Sequence, residues 1–340
     1  MNNHEKRDCD RTSREQMASG AYRYGKHRFL HFTATAISII LLTTVISECI
    51  LRFALGLGNP ILIQADSACG YFLKPDQDVT RFFVHTHVNH DGMRSDEVRT
   101  VHEPGTVRLL FVGDSITYGT TRVDQSAIFT EILHRDLPAV MNRPVEVLNA
   151  SAGAWAPDNE LSFLESRGIF GADLVLLVLN DGDLTQPRAT IAEVGDDLPQ
   201  RRPATALGEL YTRYLFPKVA HWMKRRDAGD SVSKEAYEVT EENIADLDKI
   251  HQLVINHGAR LIVVFIPFRK DIPKESKEPE SILETWTKSR HVGMFDLTTA
   301  EVPYSLEEIT LDTGVHFNAK GNRILAQAIE RDWPRVVGIH

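Results

Sequence analysis

A chain of 340 residues is long enough to bury a sizeable core, and 42% apolar with 25% charged residues is the make-up of an ordinary globular protein. A formal net charge of −9 leaves no general basic excess for a nucleic-acid partner. Of three cysteines, Cys9, Cys49 and Cys69, only Cys69 lies clearly beyond the apolar segment near the N-terminus, so the folded part holds no pair for an internal disulfide.

In chain order, residues 1–29 form a polar leader with seven basic residues (Lys6, Arg7, Arg11, Arg14, Arg23, Lys26, Arg28) against four acidic ones. Leu30 to Ser47 is an 18-residue stretch without formal charge, long enough to cross a bilayer core as one helix. The positive-inside rule places the leader in the cytoplasm and everything after residue 47 outside, in the periplasm of a two-membrane cell. A cleaved signal peptide is the competing reading, against which stand the long leader and the lack of a small-x-small site. Residues 48–104 read as a juxtamembrane segment and a β-rich arm, with extended stretches at Tyr71-Phe72-Leu73 and Arg81-Phe82-Phe83-Val84 and a turn at Asn89-His90-Asp91-Gly92.

From residue 105 the pattern changes. Val107 to Val112 is a nearly continuous apolar run, the mark of a parallel strand buried on both faces. A helix is expected over Ala127 to Leu137, and buried strands at Val145 to Leu148, Leu174 to Leu179 and Leu261 to Ile266. Further helices are expected over Glu241 to His257 and from Arg323 to Ile329. Strand and helix alternate, which predicts a three-layer α/β sandwich with a mostly parallel, flavodoxin-like sheet over residues 105–340. Residues 185–234, with Pro187, Pro199, Pro203 and Pro217, break the rhythm and read as an insertion or cap.

Two motifs carry chemistry. Gly113-Asp114-Ser115 follows the first buried strand, where open α/β sheets place their ligand crevice. A serine at a strand-to-helix turn can act as a nucleophile, or it can simply cap the helix. Near the other end, Asp312-Thr313-Gly314-Val315-His316-Phe317-Asn318 precedes an amphipathic helix and offers a base with a carboxylate nearby. His85, His87 and His90 invite a metal reading, but no carboxylate or cysteine set accompanies them and a solvated strand is the better reading. No phosphate-binding glycine loop is present, and no metal or organic cofactor is called for.

The blocks Gly113-Asp114-Ser115-Ile116-Thr117-Tyr118-Gly119 and Asp312 to Asn318 resemble those of the SGNH/GDSL hydrolases, and the resemblance extends over Val107 to Ile329. It implies Ser115 as nucleophile, His316 as base and Asp312 as the residue that orients it. It also implies an oxyanion hole of the Ser115 N–H, a block-two glycine N–H, best matched by Gly153, and a block-three asparagine. Two departures stand out. Three residues rather than two separate Asp312 from His316, and aligning Asp183-Leu184 on the usual block-three ending puts Gly182 at the oxyanion position, leaving Asn180 and Asn159 as candidate amides. The implied activity is serine-dependent hydrolysis of small acyl esters, such as acetyl groups on an envelope or exported polysaccharide. An O-acyltransferase on the same glycans and a non-catalytic glycan-binding module are the alternatives.

Overall fold

In the computed structural model of the chain, residues 31–99, 103–194, 199–216, 235–267, 278–298, 300, 304–311 and 315–338 are described. The basic leader, Asp312 and much of the 185–234 segment therefore lie outside the described residues. The apolar segment is a helix, α1 (His31–Ala54), of 24 residues whose side chains are exposed along its length. At 1.5 Å per residue it is about 36 Å long, more than the roughly 30 Å of a bilayer core. Its last turn, Ile50–Ala54, is wound as a π-helix.

Two antiparallel hairpins follow, β1 (Ile63–Asp66) with β2 (Gly70–Leu73), and β3 (Gln77–Arg81) with β4 (Val84–Val88). The expected extended run at Arg81–Val84 is instead the tip of the second hairpin, since Arg81 pairs with Val84 across the two-residue turn Phe82-Phe83. Such turns favour Asn-Gly because both central residues take positive φ. Here φ is 48° at Phe82 and 67° at Phe83, a left-handed backbone that costs an L-residue about 1–2 kcal/mol per position. Phenylalanine in this sequence reads as strand, and the pairing of its neighbours overrides that preference.

The end of α1 is clamped to this arm. Gly56, at φ 70°, lies so close to β3 that a Cβ would sit 2.2 Å from the Thr80 carbonyl oxygen. The Phe82 N–H donates to the Leu55 carbonyl at 3.0 Å. Glu48 accepts hydrogen bonds from the Ala206 and Leu207 amides at 2.8 and 2.9 Å, and Arg81 meets Glu209 at 2.6 Å with both side chains buried. Where described, the 185–234 segment thus runs along the arm, and the Ile63 amide donates to the Pro199 carbonyl at 3.1 Å.

The central sheet comprises β5 (Val107–Gly113), β6 (Val145–Ser151), β7 (Leu174–Leu179), β8 (Arg260–Phe265) and β9 (Gly293–Asp296), all parallel, in the order β6-β5-β7-β8-β9. This is the flavodoxin-like order, and the three-layer sandwich expected from the sequence is the architecture found. Alternate strand residues feed two cores. Leu110, Val112, Leu177 and Val263 face the helices Pro157–Arg167, Glu235–Asn256 and Glu278–Arg290, together with Tyr71, Phe72 and Leu73 of the arm. Leu109, Phe111, Leu176 and Ile262 face Phe129–Met141 and Ala319–Val336. Each fully buried Leu, Ile, Val or Phe contributes roughly 1.5–3 kcal/mol. The order in which strands are added reverses between β5 and β7, and doubly wound sheets place their ligand crevice at the carboxyl ends of the strands at such a switch point.

Candidate active site

The crevice receives Ser115 from β5. Asp114 caps the short helix Ser115–Tyr118, its carboxylate accepting from the Ile116 amide at 2.8 Å. The cap is therefore the aspartate, and Ser115, the first helical residue, keeps its hydroxyl for another partner. Gly113 leaves room for the turn: a Cβ there would lie 2.2 Å from Thr117 Oγ1. His316 Nε2 lies 3.0 Å from Ser115 Oγ, across 201 positions of sequence.

The histidine lies just ahead of the helix Ala319–Val336, on backbone bonded to the 309–311 segment. Leu311 N–H donates to the His316 carbonyl at 2.8 Å, Asn318 N–H donates to the Ile309 carbonyl at 2.9 Å, and Thr310 bridges Phe317. Asn318 caps the helix by accepting from the Lys320 and Gly321 amides. Asn322 reaches across to accept from the Phe129 amide at 3.0 Å, tying this loop to the neighbouring helix. The Phe-Asn-x-x-Gly-Asn run after the histidine is thus the framework that aims it.

The candidate oxyanion donors separate by their partners. Gly153 follows β6; Tyr71 Oη donates to its carbonyl at 2.5 Å, fixing the loop from the arm, while its N–H meets no protein acceptor among the described residues. Asn180 follows β7 and is 2% exposed; one N–H of its amide donates to Asp114 Oδ2 at 3.1 Å and its carbonyl accepts from the Gly182 amide at 2.7 Å. That bond also occupies the Gly182 N–H. Asn159 is no spare amide. Its Nδ2 donates to the Cys69 and Ala189 carbonyls and its Oδ1 accepts from the Ala156 and Ala189 amides, all at 2.9–3.0 Å, so it splices the arm to the domain.

Three buried acids beneath the serine had no sequence signal as a group. Burial pushes Asp114 up to about 6, against the opposing pull of the Ile116 amide, the His316 imidazole and the Asn180 amide. Burial and the Asp114 charge hold Glu160 well above the usual carboxylate range, and Asp183 is raised by the same causes with Glu160 added. Neither Glu160 oxygen has a hydrogen-bond partner among the described residues. A carboxyl group neutral when folded but ionised when unfolded costs nothing below the unfolded pKa, and it subtracts stability as pH rises above that value. Glu160→Gln is therefore expected to raise the melting temperature more at pH 8 than at pH 5, each kcal/mol being worth about 2–4 °C. Equal shifts at both pH values in a calorimetric comparison would show that Glu160 is not held neutral.

His85 Nε2 lies 3.0 Å from Asp78 Oδ1 and His87 Nδ1 3.4 Å from Asp78 Oδ2, a cross-strand pairing on β3 and β4. Among the described residues no group of three side chains is placed to hold a metal ion.

No protein-family model matches the chain, and no curated protein does. Among solved structures it is similar to the acetylxylan esterase Axe2 from Geobacillus stearothermophilus, with 16% identity over 69% of this chain and 95% of that one and a TM-score of 0.45. A two-domain esterase active on acetylated mannans shares 12% identity over 68% of this chain and 50% of its own, TM-score 0.43. A lipolytic protein of the G-D-S-L family from Desulfitobacterium hafniense shares 14% over 66% and 98%, TM-score 0.41. These neighbours belong to the class that the serine and histidine blocks resemble. At such scores the likeness has no weight for chemistry, which rests on the residues themselves.

Proposed function

We propose that the chain is a membrane-anchored serine esterase of the SGNH/GDSL type that removes small acyl groups from carbohydrate esters outside the cytoplasmic membrane. The observation that carries it is the 3.0 Å approach of His316 Nε2 to Ser115 Oγ at the mouth of the β5–β7 crevice. In that geometry His316 accepts the hydroxyl proton as Oγ attacks the ester carbonyl. The Ser115 and Gly153 amides, with the second N–H of Asn180, hold the oxyanion. Collapse of the tetrahedral intermediate expels the alcohol, which takes the proton from His316, and leaves an acyl-serine. Water, deprotonated by His316, then releases the acid. A sugar hydroxyl in place of that water makes the same site an acyltransferase. Asp312 is assigned the Nδ1 side of the imidazole, on the resemblance of the block that contains it. The resemblance of the serine and histidine blocks, with a domain that faces outward, motivates an acetylated glycan here.

The anchor is α1. Its exposed apolar side chains favour a membrane over a protein interior, and the long basic leader favours a span with the N-terminus in the cytoplasm over a cleaved signal.

A fluorophosphonate probe tests the nucleophile. Wild-type protein is expected to label stoichiometrically and to hydrolyse acetyl esters, with Ser115→Ala unlabelled; no labelling of folded wild-type protein would refute the esterase reading. Asn180→Ala is expected to lower kcat by about 10²–10³-fold with little change in KM. An undiminished kcat would confine that amide to tying Asp114.

A further inference from the structure

We infer that the end of α1, the β3–β4 turn and the 210–216 segment form an aromatic collar seated in the lipid interface, fixing the domain's height and tilt over the membrane. This rests on the reading of α1 as a membrane span. Phe53, Phe83 and Phe82 are 81, 83 and 42% exposed, and Tyr211, Leu215 and Phe216 are about half exposed. Separated in sequence, they gather at one end of α1. Phe82 is hydrogen-bonded to Leu55, its ring lies 5.9 Å from that of Tyr214, and Glu209 at the head of the 210–216 segment holds both Arg81 and the Gly58 amide.

Lipid is the occupant that these observations favour, because the patch continues the exposed apolar surface of α1. The uncharged run ends at Ser47, and Phe53 lies six residues further, about 9 Å along the axis and within reach of the headgroup layer. The charges on the way, Glu48 and Arg52, meet at 2.8 Å and neutralise each other. The Phe82-Phe83 turn is a second, independent observation. Two phenylalanines occupy left-handed positions suited to Asn-Gly, and Phe83, the more exposed, adds nothing to the core, so its use lies outside the fold. Apolar aromatic side chains of this kind settle at the membrane–water boundary.

The collar reaches the catalytic mouth through a short rigid path. On β4 the His85 amide donates to Asp124 and the His87 amide to Gln125, at 2.9 and 3.2 Å, in the loop that follows the Ser115 helix. Ser115 is therefore presented at a set distance from the bilayer, which fits esters carried at the membrane surface better than freely diffusing ones.

Depth-dependent fluorescence on the full chain in phosphatidylcholine/phosphatidylglycerol nanodiscs tests this. Cys9 and Cys49 are replaced by serine, buried Cys69 is kept, and an NBD probe is placed at Phe83→Cys, Leu42→Cys or Arg331→Cys. The expected result is strong quenching of the position-83 probe by shallow doxyl lipid, of the position-42 probe by deep doxyl lipid, and of the position-331 probe by neither. Quenching at 42 but not at 83 overturns the collar and leaves the span standing. A blue-shifted but unquenched probe at 83 means cover by protein, a second copy included, and also overturns it. No quenching at 42 removes the span and the collar with it. Phe82→Asn/Phe83→Gly relieves the turn and keeps the fold. It is expected to retain hydrolysis of soluble esters while losing at least tenfold on vesicle-borne ones; equal loss on both would refute the positional role.

Discussion

Alanine at Ser115 is expected to lower ester turnover by about 10⁴-fold or more without lowering the melting temperature. Both halves follow from where the side chain sits. Its hydroxyl is aimed at His316, while Asp114 rather than Ser115 caps the helix, so the fold loses no cap when the oxygen is removed. His316→Ala removes the base from the same step, so each single change should cost nearly as much as the pair. Purified single and double variants assayed beside wild type on acetyl esters check this. Multiplicative losses would mean that the two residues act separately and that their 3.0 Å approach is not the catalytic unit. A Ser115→Ala protein with wild-type turnover would move the nucleophile elsewhere.

The parts legible in sequence are those in which local pattern and tertiary role coincide. The run at Leu174 is apolar at every position, and that at Val107 at every position up to Val112 except Arg108, because both faces of the sheet are covered. β9 carries little pattern because it is a four-residue edge strand with only Phe295 buried. The helices Pro157–Arg167 and Glu278–Arg290 were silent for a related reason: each interleaves charged residues with its buried ones, and the partners that bury them are distant in sequence. In the site, Ser115 and His316 stood out because motif spacing marks them. Asn159 did not reveal its role, since the carbonyls that occupy its amide come from Cys69 and Ala189, 90 and 30 positions away. Asp114 caps its helix through a bond two residues away, but its bond to Asn180, 66 positions on, depends on β5 and β7 lying side by side.

Arg94 shows the same limit on a larger scale, and its replacement is expected to have the largest effect on stability. An arginine in an irregular segment reads as solvated, yet this one is completely buried. Its Nη1 donates to the Tyr118 and Thr120 carbonyls at 2.7 and 2.6 Å, its Nη2 to the Val123 carbonyl at 2.7 Å and its Nε to Gln125 at 3.0 Å, with the guanidinium 5.3 Å from the Tyr118 ring. One planar fork thereby satisfies three backbone acceptors in the loop that leaves the Ser115 helix. Arg94→Met fills similar space but strands those carbonyls, at about 1–3 kcal/mol for each that water does not reach. A total loss of roughly 3–5 kcal/mol is expected, or some 6–20 °C in melting temperature. Lysine should not rescue it, because an ammonium cannot copy the fork. Turnover should fall through kcat more than KM, since the loop supports the nucleophile's helix. A loss below about 1 kcal/mol would give this network no more weight than an exposed ion pair. The arm carries Arg94 and Tyr71, which fix the loop that follows the Ser115 helix and the loop that follows β6. A soluble fragment starting at Gly105 should therefore be less stable and less active than one starting at Pro60, although both retain Ser115 and His316.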